Sequence, residues 1–134
     1  VKVVVHVDGG ARGNPGPAAI GVVVSDPDGT VLDEHHETIG ETTNNVAEYE
    51  ALITGALRAR DLGATEVELV NDSELIAKQV LGEYRVKQPH LKPLHRRALD
   101  VLEGFDRWTV RSVRREHNAD ADALVNQALD GAGL

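Results

Sequence analysis

Four carboxylates occupy positions where a folded chain ordinarily keeps an apolar or neutral group. Asp8 closes the apolar run "VVVHV" (3–7) just ahead of the glycine-rich "GGARGNPGP" (9–17). Strand alternation puts it on the same side as Val4 and His6. Asp72 ends the strand-like "EVELVND" (66–72). On a helical wheel Glu48 lines up with Leu52, Gly55, Ala59 and Leu62, whereas Glu50, Thr54, Arg58 and Asp61 form the polar side. Asp122 shares the apolar side of a last helix with Val125 and Leu129. Taken singly, Asp8, Asp72 and Asp122 are accounted for by the backbone N–H groups of strand ends and helix starts. Glu48 is not, because it points along the core stripe. Brought together, four like charges repel and raise one another's pKa unless a cation holds them. No Lys or Arg directly flanks Asp8, Glu48 or Asp72, and the chain has no cysteine. Oxygen-only ligands of this kind suit Mg²⁺ or Mn²⁺ rather than zinc.

Acids so far apart in the chain need a framework that converges on one place. Residues 2–7 are β-branched and apolar, as in a central strand. "AAIGVVVSD" (18–26), the turn "PDG" (27–29) and the polar, edge-like "TVLDEHHETIG" (30–40) complete an antiparallel meander. A helix over 46–63 is closed by Gly63. A strand over 66–72 leads to a helix over 73–82, with Ser73 as its N-cap. A helix over 90–105 with a break at Pro93, a strand over 108–113 and a helix over 119–129 finish the chain. This order predicts an α/β fold: a five-stranded mixed sheet, three strands antiparallel and then two parallel, flanked by helices.

The chain's 134 residues, 41% hydrophobic, fit one domain with a single core, and no apolar run is long enough to span a membrane. Without cysteine a reducing, cytoplasmic setting is expected. There is no methionine, and "LDGAGL" reads as a helix running into an open end, so a longer parent chain is expected. A net charge of −8 argues at first against a nucleic-acid partner. The distribution argues otherwise: Arg85–Arg97 holds five Lys/Arg and no acid, and Arg107–Arg115 holds four and no acid. His6 is expected in the core, and core packing is the first explanation for Tyr84 and Trp108.

The stretches "DGGARGNPGPAAIGVVV" (8–24), "TTNNVAEYEALITGAL" (42–57), "NDSELI" (71–76) and "HNADADALVNQAL" (117–129) resemble, in order and over nearly the whole chain, ribonuclease H type 1, in its compact bacterial and archaeal branch. That resemblance implies the RNase H-like fold and cleavage of the RNA strand of RNA/DNA hybrids, leaving 5′-phosphate and 3′-hydroxyl ends. It makes Asp8, Glu48, Asp72 and Asp122 the metal ligands, holding two Mg²⁺ ions with substrate, or Mn²⁺ in their place. Two such ions about 4 Å apart activate a water and stabilise the leaving 3′-oxygen. Asp8 would be shared, Glu48 and Asp72 would serve one ion, and Asp122 the other.

The resemblance also implies that Asn14, Asn44 and Asn45 line the hybrid's minor groove, where 2′-hydroxyls distinguish RNA from DNA, and that Thr43 holds a DNA phosphate. Gly9 and Gly13 belong to the same glycine-rich contact segment. An ordinary turn explains Gly13 and Asn14 as well, and helix capping explains Asn44 and Asn45. Many relatives carry Gln where this chain has Glu74, whose charge either weakens an RNA contact or supports the helix start. The segment "VRREHNADAD" (113–122) is too short for the mobile-histidine loop of several relatives, leaving Arg115 or His117 to meet the scissile phosphate. Some actinobacterial relatives are fused to a C-terminal phosphatase-like domain. A monomer away from any membrane is expected. A binding module of the same fold that no longer cleaves is the competing reading.

Overall fold

The computed structural model describes residues 1–134. β1 (Lys2–Ala11) forms the centre of the sheet because its odd-numbered valines, Val3, Val5 and Val7, are buried to 1% exposure or less. It pairs antiparallel with β2 (Gly16–Ser25), which pairs antiparallel with β3 (Val31–Thr42). On the other side β1 pairs parallel with β4 (Glu66–Asn71), and β4 pairs parallel with β5 (Arg107–Ser112). The sheet order is therefore β3-β2-β1-β4-β5, the mixed five-stranded arrangement expected from the order of elements.

The helices α1 (Asn44–Asp61), α2 (Glu74–Val80) and α3 (Lys92–Leu102) supply the crossovers, and α4 (Ala119–Gly131) closes the chain. Leu52, Ile53, Ala56 and Ala59 of α1 join Val3, Val5, Val7 and Leu69 in the main core. Gly55 of α1 makes that approach possible, since a Cβ there would press on the side chains of Val5 and Val7. On the opposite face α4 packs Val125, Ala128 and Leu129 against Ala19. Ser73 caps α2 as expected, its Oγ accepting the Ile76 N–H at 3.3 Å. Gly63, at φ +84°, ends α1. No helix is long and apolar enough to cross a membrane.

Several local expectations are corrected. β1 does not stop at Val7 but runs through Gly9 and Gly10, which pair with Ile20 and Ala19, so Asp8 lies inside the ladder opposite Gly21. Pro93 does not break a helix; it sits in the first turn of α3, where its missing N–H costs nothing, after a short 3-10 turn at Pro89–Leu91. Leu62 leaves the apolar stripe at the C-cap of α1 and is 47% exposed. Trp108 packs against the core, but Tyr84 stands on the surface, with the Lys78 ammonium 5.0 Å from its ring centre. His6 is only half-buried and lines a solvent-open hollow with Glu68 and Arg111, because α4 leaves that end of the sheet uncovered.

Candidate metal centre

Two glycines bring the acids together. A Cβ on Gly9 would overlap the Ala47 carbonyl and the Glu48 nitrogen, so the first turn of α1 lies directly on β1. Gly21, opposite Asp8, does the same for the first turn of α4: a Cβ there would strike the Ala121 carbonyl oxygen and the Leu124 Cβ. Asp72 enters from the end of β4, immediately before the Ser73 cap. A carboxylate oxygen from each of Asp8, Glu48 and Asp72 lies within 4.8 Å of the others. Asp122, from the first turn of α4, lines the same cleft, close enough that its charge acts on Asp8.

The electrostatics of this group are unfavourable on its own. Burial, then the charges of Asp72 and Asp122, push the Asp8 carboxyl up to about 7. Burial, then Asp8 and Asp72, hold Glu48 well above the usual carboxylate range. Burial also raises Asp72, opposed by the Arg115 guanidinium, whose Nε lies 3.9 Å from Asp72 Oδ2. Glu48 Oε2 is buried with no hydrogen-bond donor in the protein. An unpartnered carboxylate oxygen among converging carboxylates fits a hard divalent cation, which would relieve the repulsion and satisfy that oxygen together.

Around the acids, the Gly-rich turn and the start of α1 are laced to each other. The Asn44 N–H donates to Asn14 Oδ1 at 3.0 Å, and the Ala11 N–H donates to Asn44 Oδ1 at 2.8 Å. Both amide NH₂ groups are thereby left without a protein partner. Thr43, rather than Asn44 or Asn45, is the N-cap of α1, its Oγ1 accepting the Val46 N–H at 3.3 Å. Gly13 turns the chain at φ +99°. Asn45 borders both the acidic cleft and a neighbouring groove lined by Tyr84, Lys87 and Gln88. Glu74 is exposed and bonded to Lys78 at 2.6 Å, which neutralises it locally. Arg115 borders the acidic cleft, whereas His117 lines the hollow beside His6.

Sequence reasoning missed Arg12, which lines the cleft and pairs with Asp130 of α4 at 2.8 Å while bonding the Leu134 carbonyl at 2.7 Å. It also missed the seating role of Gly21, although an isolated glycine within "AAIGVVV" is a signal for close backbone approach.

The reverse transcriptase-like family profile matches residues 6–128. The chain is 46% identical over 131 residues to the ribonuclease HI of Halobacterium salinarum, covering 98% of this chain and 66% of that protein. The crystal structure of the halobacterial RNase H1 superposes with a TM-score of 0.95 over 98% of this chain and 99% of that one. The chain belongs to the ribonuclease H type 1 family. Another similar ribonuclease H structure is the N-terminal RNase H domain of a bifunctional Mycobacterium tuberculosis protein, 47% identical, with a TM-score of 0.95 over 99% and 96% of the two chains. A third is LC11-RNase H1 in complex with an RNA/DNA hybrid, 45% identical, with a TM-score of 0.94 over 98% and 99% of the chains. The chain spans 66% of the full halobacterial protein and 36% of the full mycobacterial one.

Proposed function

We propose that this ribonuclease H domain hydrolyses the RNA strand of RNA/DNA hybrids using two divalent ions, leaving 5′-phosphate and 3′-hydroxyl ends. The observation that carries the proposal is the convergence of the buried Asp8 and Glu48 with the partly exposed Asp72, with Glu48 Oε2 left unpartnered. Asp8 would be shared between the ions, Glu48 and Asp72 would hold one and Asp122 the other, with Mg²⁺ as the working metal and Mn²⁺ able to replace it. When bound, the ions supply an activated water and neutralise charge developing on the leaving oxygen.

The chain's own residues do the rest. The amide NH₂ groups of Asn14 and Asn44, unused by the fold, are suited to the 2′-hydroxyls of the RNA strand. Thr43 keeps its hydroxyl hydrogen after capping α1 and can donate it to a phosphate of the DNA strand. Arg115, loosely held by Asp72, offers a permanent cation beside the scissile phosphate. Farther along, Arg85, Lys92, His95 and Arg96 line a groove without an acid, placed for successive phosphates.

The test is an end-labelled RNA/DNA hybrid incubated with wild type and Asp72→Asn, with Mg²⁺, Mn²⁺ or EDTA. Cuts confined to the RNA strand with 3′-hydroxyl ends, lost in EDTA and in the variant, are expected. An intact hybrid that is bound by wild type with either metal would overturn the enzyme reading in favour of a binding module.

A further inference from the structure

Asn118 stands at the N-cap of α4, a position where Asn ordinarily accepts a hydrogen bond from the helix's own first-turn N–H groups. Here it makes no such bond. Its Nδ2 instead donates to the Val7 carbonyl at 2.9 Å, across 111 residues of chain, and its Oδ1 is buried with no partner. The residue is 1% exposed. A side chain that gives up its cap and leaves its own oxygen unsatisfied is held for the bond it does make.

That bond joins the strand that carries Asp8 to the start of the helix that carries Asp122. Val7 immediately precedes Asp8 on β1, just past His6↔Val70, the last pair that β1 makes with β4. Asn118 lies one helical turn before Asp122, whose N–H donates to the Asn118 carbonyl at 3.1 Å. The side chain of Asn118 therefore clamps the start of α4 to β1 from one side, while Gly21 lets α4 settle onto β2 from the other. Neither residue touches the acids' oxygens. We infer that Asn118 is a positioning residue, setting the separation of Asp122 from Asp8 and through it the affinity of the divalent cation those two acids share. The inference rests on the proposed role of Asp122 as a ligand. Supporting groups outside the ligand set of a metal site carry about 10- to 100-fold in affinity.

The test is a double-mutant cycle read by calorimetric titration of Mn²⁺ into the free protein, with thermal unfolding in EDTA recorded alongside. Asn118→Ala is expected to weaken about tenfold the Mn²⁺ binding step that Asp122→Ala removes. In an Asp122→Ala background the same change should alter binding less than about twofold, because the clamp then positions nothing. Should the alanine variant not fold, Asn118→Ser, whose hydroxyl is too short to reach Val7, takes its place in the cycle. Unchanged Mn²⁺ affinity in the Asn118 variant, alongside a lowered melting temperature, would reduce the residue to a structural tie and overturn the inference. So would an equal loss in both backgrounds. If Asp122→Ala leaves every Mn²⁺ binding step intact, and not only that of the ion assigned to Glu48 and Asp72, the ligand role of Asp122 fails, an outcome distinct from failure of the clamp alone.

Discussion

Two parts of this molecule gather like charge and leave it unanswered, and they do so under opposite conditions. The acids Asp8 and Glu48 are 6% and 9% exposed, crowded with Asp72, and their carboxyls are forced upward in pKa. The cations Arg85, Lys87, Lys92, Arg96 and Arg97 are exposed, and none of them belongs to an ion pair. Burial makes the acidic cluster costly to ionise, so it demands a small cation at short range. Solvation makes the basic segment cheap to maintain, so it can wait for a long polyanion. The second basic segment teaches the same lesson by contrast: Arg111, Arg114 and Arg115 are answered by Glu68, Glu116 and Asp72. Clustered charge in the sequence therefore has two fates, and the segment whose cations all stand unpaired is the one that points to an extended polyanion.

The largest effect comes from breaking the buried half. Asp8→Asn should lower hybrid cleavage by roughly 10³-fold or more, since a shared ligand is lost. The same change should stabilise the metal-free protein. Asp8 titrates near 7 in the fold against an ordinary 3.8, so its ionised form is disfavoured by folding. That cost is absent below the ordinary value, grows as pH rises toward 7, and is complete above it. Asparagine removes it, and urea unfolding in EDTA at pH 8 should show a gain on the order of 4 kcal/mol. A loss of stability there would mean that the ionised cluster is not under strain.

The wild type should show the same sign without mutation. In EDTA, the contribution of the raised carboxyls of Asp8, Glu48 and Asp72 makes the protein more stable as pH falls from 8 toward 5. Added Mg²⁺ should raise the melting temperature most at pH 8 and least at pH 5, because protons and metal compete for the same oxygens. An Mg²⁺ effect that is flat with pH would place the ion elsewhere.

The exposed half should respond more gently. Replacing Arg85, Lys92 and Arg96 together by Gln should weaken hybrid binding about tenfold at moderate salt and reduce the salt slope by about 2 to 3, as loss of three phosphate contacts requires. Anisotropy titrations over a range of salt concentrations read both quantities. Arg111→Gln, which removes a cation already paired with Glu68, should change binding by less than about twofold. Equal effects from the two segments would erase the distinction between them.

The parallel and antiparallel pairings were legible because apolar alternation and helix-length crossovers leave few other topologies. So was the meeting of the four acids along one cleft, signalled by Glu48 on an apolar stripe. The true end of β1 was not, because Gly9 and Gly10 read locally as a turn and enter the ladder only when β2 and α1 close on them. Pro93 reads as a break in the sequence because its place in the first turn of α3 depends on where that helix begins. His6 looked like core because nothing in its own strand reveals that α4 leaves it uncovered. The clamp of Asn118 on Val7 was invisible for a similar reason: a bond across 111 residues has no local signature, and an Asn before a helix looks like an ordinary cap.

The distinction between a site that demands a cation and a surface that waits for a polyanion is tested most directly by single-turnover cleavage of a labelled hybrid at rising enzyme concentration with saturating Mg²⁺. Asp8→Asn and the Arg85/Lys92/Arg96→Gln variant would be run beside wild type. The basic-segment variant should reach the wild-type rate once binding is saturated, while Asp8→Asn should bind the hybrid and fail to cut at every concentration. A variant of the basic segment that stays slow at saturation, or an Asp8→Asn protein that recovers its rate with more enzyme, would contradict it.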